Sequence, residues 1–291
     1  MNKATKTANG GRKAKNAATG RKPRGDWAKA LAALIKAKGE TRAHESNKAI
    51  SNATADKRWK VLFAGFRQLR KLGYRLERPE SFCGRHMQAL VDAWVEGRLS
   101  PSSIQNRISV FRTLSEWIGK RGMIEASANY VTDPSAVRRT SVATQDKSWT
   151  PRGFNAVEII AQVREYDVRV GTAMELQLAF GLRVRESLLI RPHLADLENV
   201  LDVSRGAKNG RHRVLRIRTE DQCLALERAK DAVQSETDSV AGPVSERDWD
   251  QVKDHYYYVM DKFGITRRGG ITSHGLRHEN ANAYFAMVAG Y

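Results

Sequence analysis

ITSHGLRHENANAYF, Ile271–Phe285, sets His274, Arg277 and His278 within five residues. A helix that only packs against a core gains little from that grouping, because two imidazoles and a guanidinium on one turn supply no apolar stripe. A site that holds a phosphate gains a great deal, because an arginine fork binds two phosphate oxygens at once and remains protonated. The four-residue spacing of the histidines would also suit a metal. No third ligand stands at a recognisable spacing and HExxH is absent, so no metal is expected. The remaining parts of a phosphate site are to be sought elsewhere in the chain.

The charge points the same way. The chain has 291 residues and a formal net charge of +18, an excess whose usual physical reason is a polyanionic partner. The length suits two domains. An anionic membrane is the alternative polyanion, but no apolar run approaches the roughly 20 residues that span a bilayer. The N-terminus, MNKATKTANGGRKAKNAATGRKPRG, also lacks the apolar core of a secretory signal. Nucleic acid is therefore the expected partner, and no membrane. Cys83 and Cys223 match no metal or disulfide pattern and read as reduced, partly buried thiols in a reducing cytoplasm. The expected location is cytoplasmic and nucleoid-associated.

Residues 1–25 hold eight Lys or Arg, no acid and almost no apolar side chain larger than Ala. They read as a disordered basic arm. Residues 26–125 read as a helical domain. Asp26 caps a helix carrying Trp27, Leu31, Leu34 and Ile35 and stopped by Gly39. Thr54 is read as the cap of a second, with Trp59, Leu62, Phe66 and Leu69 inward and Lys57, Arg58, Lys60, Arg67, Arg70 and Lys71 outward. A third runs near 81–96 with Met87, Leu90, Val91 and Trp94. The fourth starts at Ser100, with Pro101 in its first turn, and continues through Ile104, Ile108, Phe111, Leu114 and Ile118. Any one basic face could be merely solvated; all of them being net positive favours DNA. Residues 126–148 are polar and aperiodic and read as a linker. From 149 to 291 a second domain is expected, with helices at 153–166, 169–180, 184–189, 219–235 and 245–263. Between them lies a hairpin, VLDVSR–GAKNG–RHRVLRIR, its turn bracketed by Gly206 and Gly210.

Three segments of this domain carry chemistry. AFGLRVRESLLIRP puts Arg183 at a helix start with Glu186 one turn on, GAKNGRHR puts Lys208 at a hairpin tip, and HGLRH supplies His274 and Arg277. Cleaving a phosphodiester without a metal asks for such a set. Guanidiniums neutralise the non-bridging oxygens of the transition state, an ammonium protonates the departing 5′ oxygen, and an imidazole holds an oxygen or moves a proton. No Asp/Glu cluster suits a two-metal clamp. Taken singly each feature has a plain explanation: Arg183 beside Arg185 as a basic helix face, Lys208 as a solvated turn residue, HYYYVM (His255–Met260) as a partly buried aromatic face.

Taken in order, FGLRVRESLLI, GAKNG and HGLRHENANAYF resemble the first-arginine box, the β-hairpin lysine and the His-x-x-Arg box of the tyrosine recombinases, the phage-type integrases. The resemblance runs from about residue 26 to the end. It implies a mainly α protein, with an N-terminal SAM-like helical core-binding domain and an α+β catalytic domain containing a small β-hairpin sheet. It implies Arg183 and Arg277 as binders of the scissile phosphate, Lys208 as general acid and His274 as a helper in proton transfer. Glu186 and His278 would be structural supports of the site. It further implies site-specific strand exchange in DNA integration and recombination through a 3′-phosphotyrosine, on a mobile element, with self-assembly on DNA and no cofactor.

One part of the pattern is missing. After the His-x-x-Arg box the family continues with a further His or Trp and then the nucleophilic Tyr. Here Tyr291 is the last residue and follows Arg277 by 14 positions, while Tyr284 lies on the same helix as Arg277. Neither is assigned as nucleophile, and none is identified. A C-terminally truncated copy of a recombinase is therefore expected. The alternative is a non-catalytic DNA-binding protein, either a degenerate integrase or a helical regulator.

Overall fold

The computed structural model describes residues 26–38, 50–140, 145–207, 211–243 and 248–290. The basic arm, Lys208, Gly210 and Tyr291 lie outside the described residues. The chain divides into two compact units between residues 141 and 142. Among the described residues no helix is long and apolar enough to cross a membrane.

The first unit contains helices α1 (Trp27–Lys38), α2 (Asn52–Lys71), α3 (Gly84–Glu96) and α4 (Pro101–Trp117). Its core is built from Leu31, Leu62, Phe66, Leu69, Met87, Leu90, Trp94, Ile104, Ile108 and Phe111, all essentially without exposed surface. The α2 cap is Ser51, not Thr54; its side chain accepts the Thr54 backbone N–H, which starts the helix one turn early. The inward face of α2 is also turned from the expected one. Arg58 is buried while Trp59 is 41% exposed. The true stripe is 58, 62, 65–66 and 69, spaced by four and three, and Trp59 lies about 100° off it. Arg58 sits over the Trp117 ring at 5.6 Å; Trp59 stacks instead on Phe63 at 4.5 Å.

The stretch read as a linker is anchored at both ends. Two short 3-10 turns, Ser127–Tyr130 and Pro134–Val137, bury Tyr130 and Val137 in the first core. Gln88 and Gln105 donate to their carbonyls at 2.8 and 2.7 Å. At the other end Ser148 and Trp149 are buried in the second unit. The aperiodic sequence hides this because 3-10 turns and side-chain-to-backbone bonds leave no hydrophobic period.

The second unit runs α5 (Ala156–Tyr166), α6 (Val168–Phe180), α7 (Val184–Leu189), α8 (Pro192–Ala195), β1 (Val200–Val203), β2 (Arg213–Arg216), α9 (Glu220–Asp231), α10 (Trp249–Lys262) and α11 (Ser273–Ala289). The two strands pair antiparallel, Val200 opposite Arg216 and Val203 opposite Arg213. Leu201 and Val203 point into the core while Asp202 faces out. α6 is the central element: Val170 to Met174, Leu176, Gln177 and Phe180 are all buried, and α5, α7, α9 and α11 pack around it. α5 reaches α6 closely at Gly171, where an added Cβ would stand 2.5 Å from the Arg164 backbone. Of the two free thiols Cys83 is half-buried and Cys223 exposed. Cys223 is not the partly buried thiol expected of it; it falls on the solvent side of α9, whose buried face is Ala225, Leu226 and Ala229.

Candidate phosphate-binding site

Glu186 organises the site. It has no exposed surface, although an isolated carboxylate is costly to bury. Its Oε2 accepts the Arg183 backbone N–H at 2.8 Å and its Oε1 accepts from Arg183 Nη1 at 2.6 Å. Arg213 Nη2 on β2 donates to Oε2 at 2.5 Å. Arg277 Nη1 on α11 stands 3.9 Å from the same oxygen and donates to the Gly181 carbonyl at the end of α6. Burial pushes the Glu186 carboxyl up, but the bonds from Arg183 and the charges of Arg213 and Arg183 outweigh it and hold it below the usual range. One carboxylate thus ties three guanidiniums from three elements to one point.

Arg183 and His274 border a cavity of about 900 Å³ with Arg277, Lys147, Arg152 and Arg267. The pKa of Arg277 is lowered by burial first, then by Arg183 and Arg213. His274 is held below the ordinary imidazole value by partial burial of its ring, then by its neighbours His278, Arg277, Lys147 and Arg183. Its neighbour one turn on, His278, meets it edge to face at 5.2 Å. The cavity is a concentration of positive charge with a neutral imidazole at its edge, the environment a phosphodiester anion fits.

The start of α11 is fixed from outside the helix. Glu279 accepts from the Trp149 and Thr150 backbone N–H groups at 2.6 and 3.2 Å and from the Thr150 hydroxyl at 2.5 Å. Trp149 Nε1 donates to the Thr272 carbonyl at 2.9 Å. Gly275 permits this fit: an added Cβ would lie 2.5 Å from the Lys147 carbonyl and 2.7 Å from the indole.

Of the residues singled out from sequence, the structure brings Arg183, Glu186, His274 and Arg277 together and sets His278 beside them. Lys208 lies outside the described residues. The hairpin that carries it is nonetheless anchored, by Arg213 to Glu186 and by Gly206. At φ +71°, Gly206 sits where a Cβ would meet the Arg185 carbonyl at 2.5 Å. Tyr284 lies away from the cavity, under Arg218 at 4.9 Å. The tyrosine bordering the cavity among the described residues is Tyr257 of α10. Arg213, Lys147, Arg152 and Arg267 escaped the sequence reading, since in a chain with 50 Lys and Arg no spacing marks them.

Comparison with protein families matches residues 136–283 to the integrase model and residues 40–124 to the phage integrase N-terminal model. Comparison with curated proteins gave no significant match. Among solved structures, a lambda integrase dimer bound to a COC′ core site is 18% identical, covering 89% of this chain and 87% of that one at a TM-score of 0.55. A lambda integrase tetramer bound to a Holliday junction is 17% identical, covering 89% and 70% at 0.55. The Tn1549 transposon integrase in complex with circular intermediate DNA is 16% identical, covering 90% and 87% at 0.52. At these identities the likeness is one of fold: mainly helical, with a SAM-like N-terminal domain followed by a catalytic domain carrying a two-stranded sheet. With both family models matched in chain order, and Arg183, Glu186, His274 and Arg277 gathered at one cavity, the chain belongs to the integrase family of tyrosine recombinases.

Proposed function

We propose that the chain acts on duplex DNA as a site-specific tyrosine recombinase, by metal-independent phosphoryl transfer. The observation that supports this is the convergence of Arg183 and Arg277, 94 positions apart in the chain, on the one buried carboxylate of Glu186. In the reaction a tyrosine oxygen attacks the scissile phosphorus, the bond to the 5′ oxygen breaks, and a 3′-phosphotyrosine forms. Arg183 and Arg277 neutralise the non-bridging oxygens. Lys208 delivers a proton to the departing 5′ oxygen. His274, kept neutral by its surroundings, accepts a hydrogen bond or a proton from the nucleophile. Glu186 orients the arginines, and His278 supports His274. The first unit acts as a core-binding domain on the same DNA, where copies of the chain assemble.

A second reading, DNA binding without cleavage, is favoured by one feature. The tyrosine at the cavity edge, Tyr257, precedes the His274–Arg277 helix, whereas the family's nucleophile follows it. A library of nicked suicide duplexes of randomised sequence separates the two on a denaturing gel. A covalent adduct supports the recombinase, and its loss in Tyr257→Phe or Tyr291→Phe identifies the nucleophile. Salt-dependent binding with no adduct from any duplex supports the second reading. Both readings require duplex affinity to fall with a log–log salt slope of roughly −0.9 per neutralised phosphate; a flat response would sink both.

A further inference from the structure

Beneath the candidate cavity four polar side chains are buried together: Gln177 on α6, Ser187 on α7, Tyr256 on α10 and Ser273 on α11, none more than 5% exposed. The Gln177 amide nitrogen donates to Ser187 Oγ and to the Tyr256 oxygen, each at 3.0 Å. Ser273 donates to Gln177 Oε1 at 2.7 Å. Tyr256 and Ser273 hydroxyls bond at 2.8 Å. The Ser187 hydroxyl donates in turn to the Val184 carbonyl at 3.1 Å, inside the first turn of α7. One proton assignment satisfies the whole set: Tyr256 donates to Ser273, Ser273 to Gln177, and Gln177 back to Tyr256 and across to Ser187. The result is a closed ring with a branch. Burial pushes the Tyr256 phenol up to about 12, so it remains a donor.

A core at this place could be filled by apolar side chains at no cost in hydrogen bonds. The position of the ring argues for a purpose beyond packing. Ser187 follows Glu186 and Ser273 precedes His274 in the chain, and Gln177 and Ser273 themselves border the cavity. A single amide therefore measures the distance between the segment carrying Arg183 and the segment carrying His274 and Arg277. Sliding either helix would orphan a buried donor or acceptor, which a dry site penalises steeply.

We infer that Gln177, with Tyr256 and Ser273, is a positioning residue that holds the two phosphate-binding segments at the spacing of one phosphate. The inference rests on the reading of the cavity as a phosphate site. It acts through Arg183, Arg277 and His274; no atom of the ring need touch the phosphate.

The test titrates inorganic phosphate into the isotopically labelled full chain and follows the His274 ring and Arg277 Nε–H resonances. In the unmodified protein both move saturably, and Arg277→Ala abolishes the response. Gln177→Leu should weaken phosphate roughly tenfold, the scale of one misplaced charge-assisted bond. Tyr256→Phe and Ser273→Ala, which delete one hydroxyl each and disturb folding less, should weaken it several-fold. Val163→Ala, a buried α5 position away from the cavity, controls for stability alone: it should lower the melting temperature and leave phosphate affinity unchanged. Unchanged affinity in folded Tyr256→Phe and Ser273→Ala overturns the inference, whether or not Gln177→Leu folds. A phosphate titration that moves neither resonance in the unmodified protein overturns the phosphate-site reading instead.

Discussion

Glu186 is the residue whose loss should be felt most widely. It is fully buried with three guanidiniums close by, so Glu186→Ala leaves positive charge uncompensated and should cost about 3–5 kcal/mol in denaturant unfolding. Its folded pKa lies below the ordinary 4.5. The stability it contributes is therefore fully present above that value and is lost as pH falls through the depressed folded value. Urea melts taken downward through the carboxylate range should show this loss, and Glu186→Gln should flatten it; an equally steep fall in the Gln variant would put the acid lability elsewhere. Gly275 makes a different demand. Because a Cβ there collides with the Lys147 carbonyl and with the Trp149 indole, itself bonded to the Thr272 carbonyl, Gly275→Ala should destabilise by about 1–3 kcal/mol and, on the proposed function, weaken DNA binding through displacement of α11. At this scale the order and local spacing of Arg183, His274 and Arg277 marked them out, and the fold sets all three around one cavity. Arg213 and Gln177 were not so marked: an arginine in a basic strand and a glutamine in an apolar helix acquire meaning only from what they face.

Helices were legible as elements wherever an apolar stripe and a cap coincided, as at Ser100–Pro101, where the Ser100 side chain accepts the Ser103 backbone N–H. Phase was harder to read. In α2 the choice between Arg58 and Trp59 for the buried row reverses simple hydrophobicity, because an arginine can be buried over the Trp117 ring while tryptophan tolerates a half-open edge. Arg58→Ala should thus cost more stability than Trp59→Ala, measured on the same melt, although side-chain hydrophobicity alone ranks them the other way. The α5–α6 pair offers a second test. Gly171 brings the helices together at the Arg164 backbone, so Gly171→Val should force them apart and lower the unfolding free energy by about 1–3 kcal/mol or more. A variant as stable as the parent would show that the close approach is not required.

For the whole molecule, the first unit should fold by itself, but with a later boundary than its helices suggest. A fragment of residues 26–140 retains Tyr130 and Val137 in the core, whereas 26–125 loses both. The longer fragment should melt several degrees higher by circular dichroism, since burying two such side chains is worth about 1.5–3 kcal/mol each. Equal melting temperatures would show the 3-10 segment to be an ornament of the fold. The sequence by itself determined the two-unit plan, the helical character and the positive charge, and it marked Arg183, His274 and Arg277, which the fold gathers at one cavity. Those properties follow from composition, periodicity and short-range spacing, which are local quantities. Only the tertiary structure decided that Arg213 shares Glu186 with Arg183, that Trp149 and Thr150 clamp the start of α11, and that Gln177 spans the two arginine segments. Each of these joins residues that are distant in the chain, or distinguishes one of many similar side chains by its burial, and neither separation in space nor burial has a local signature.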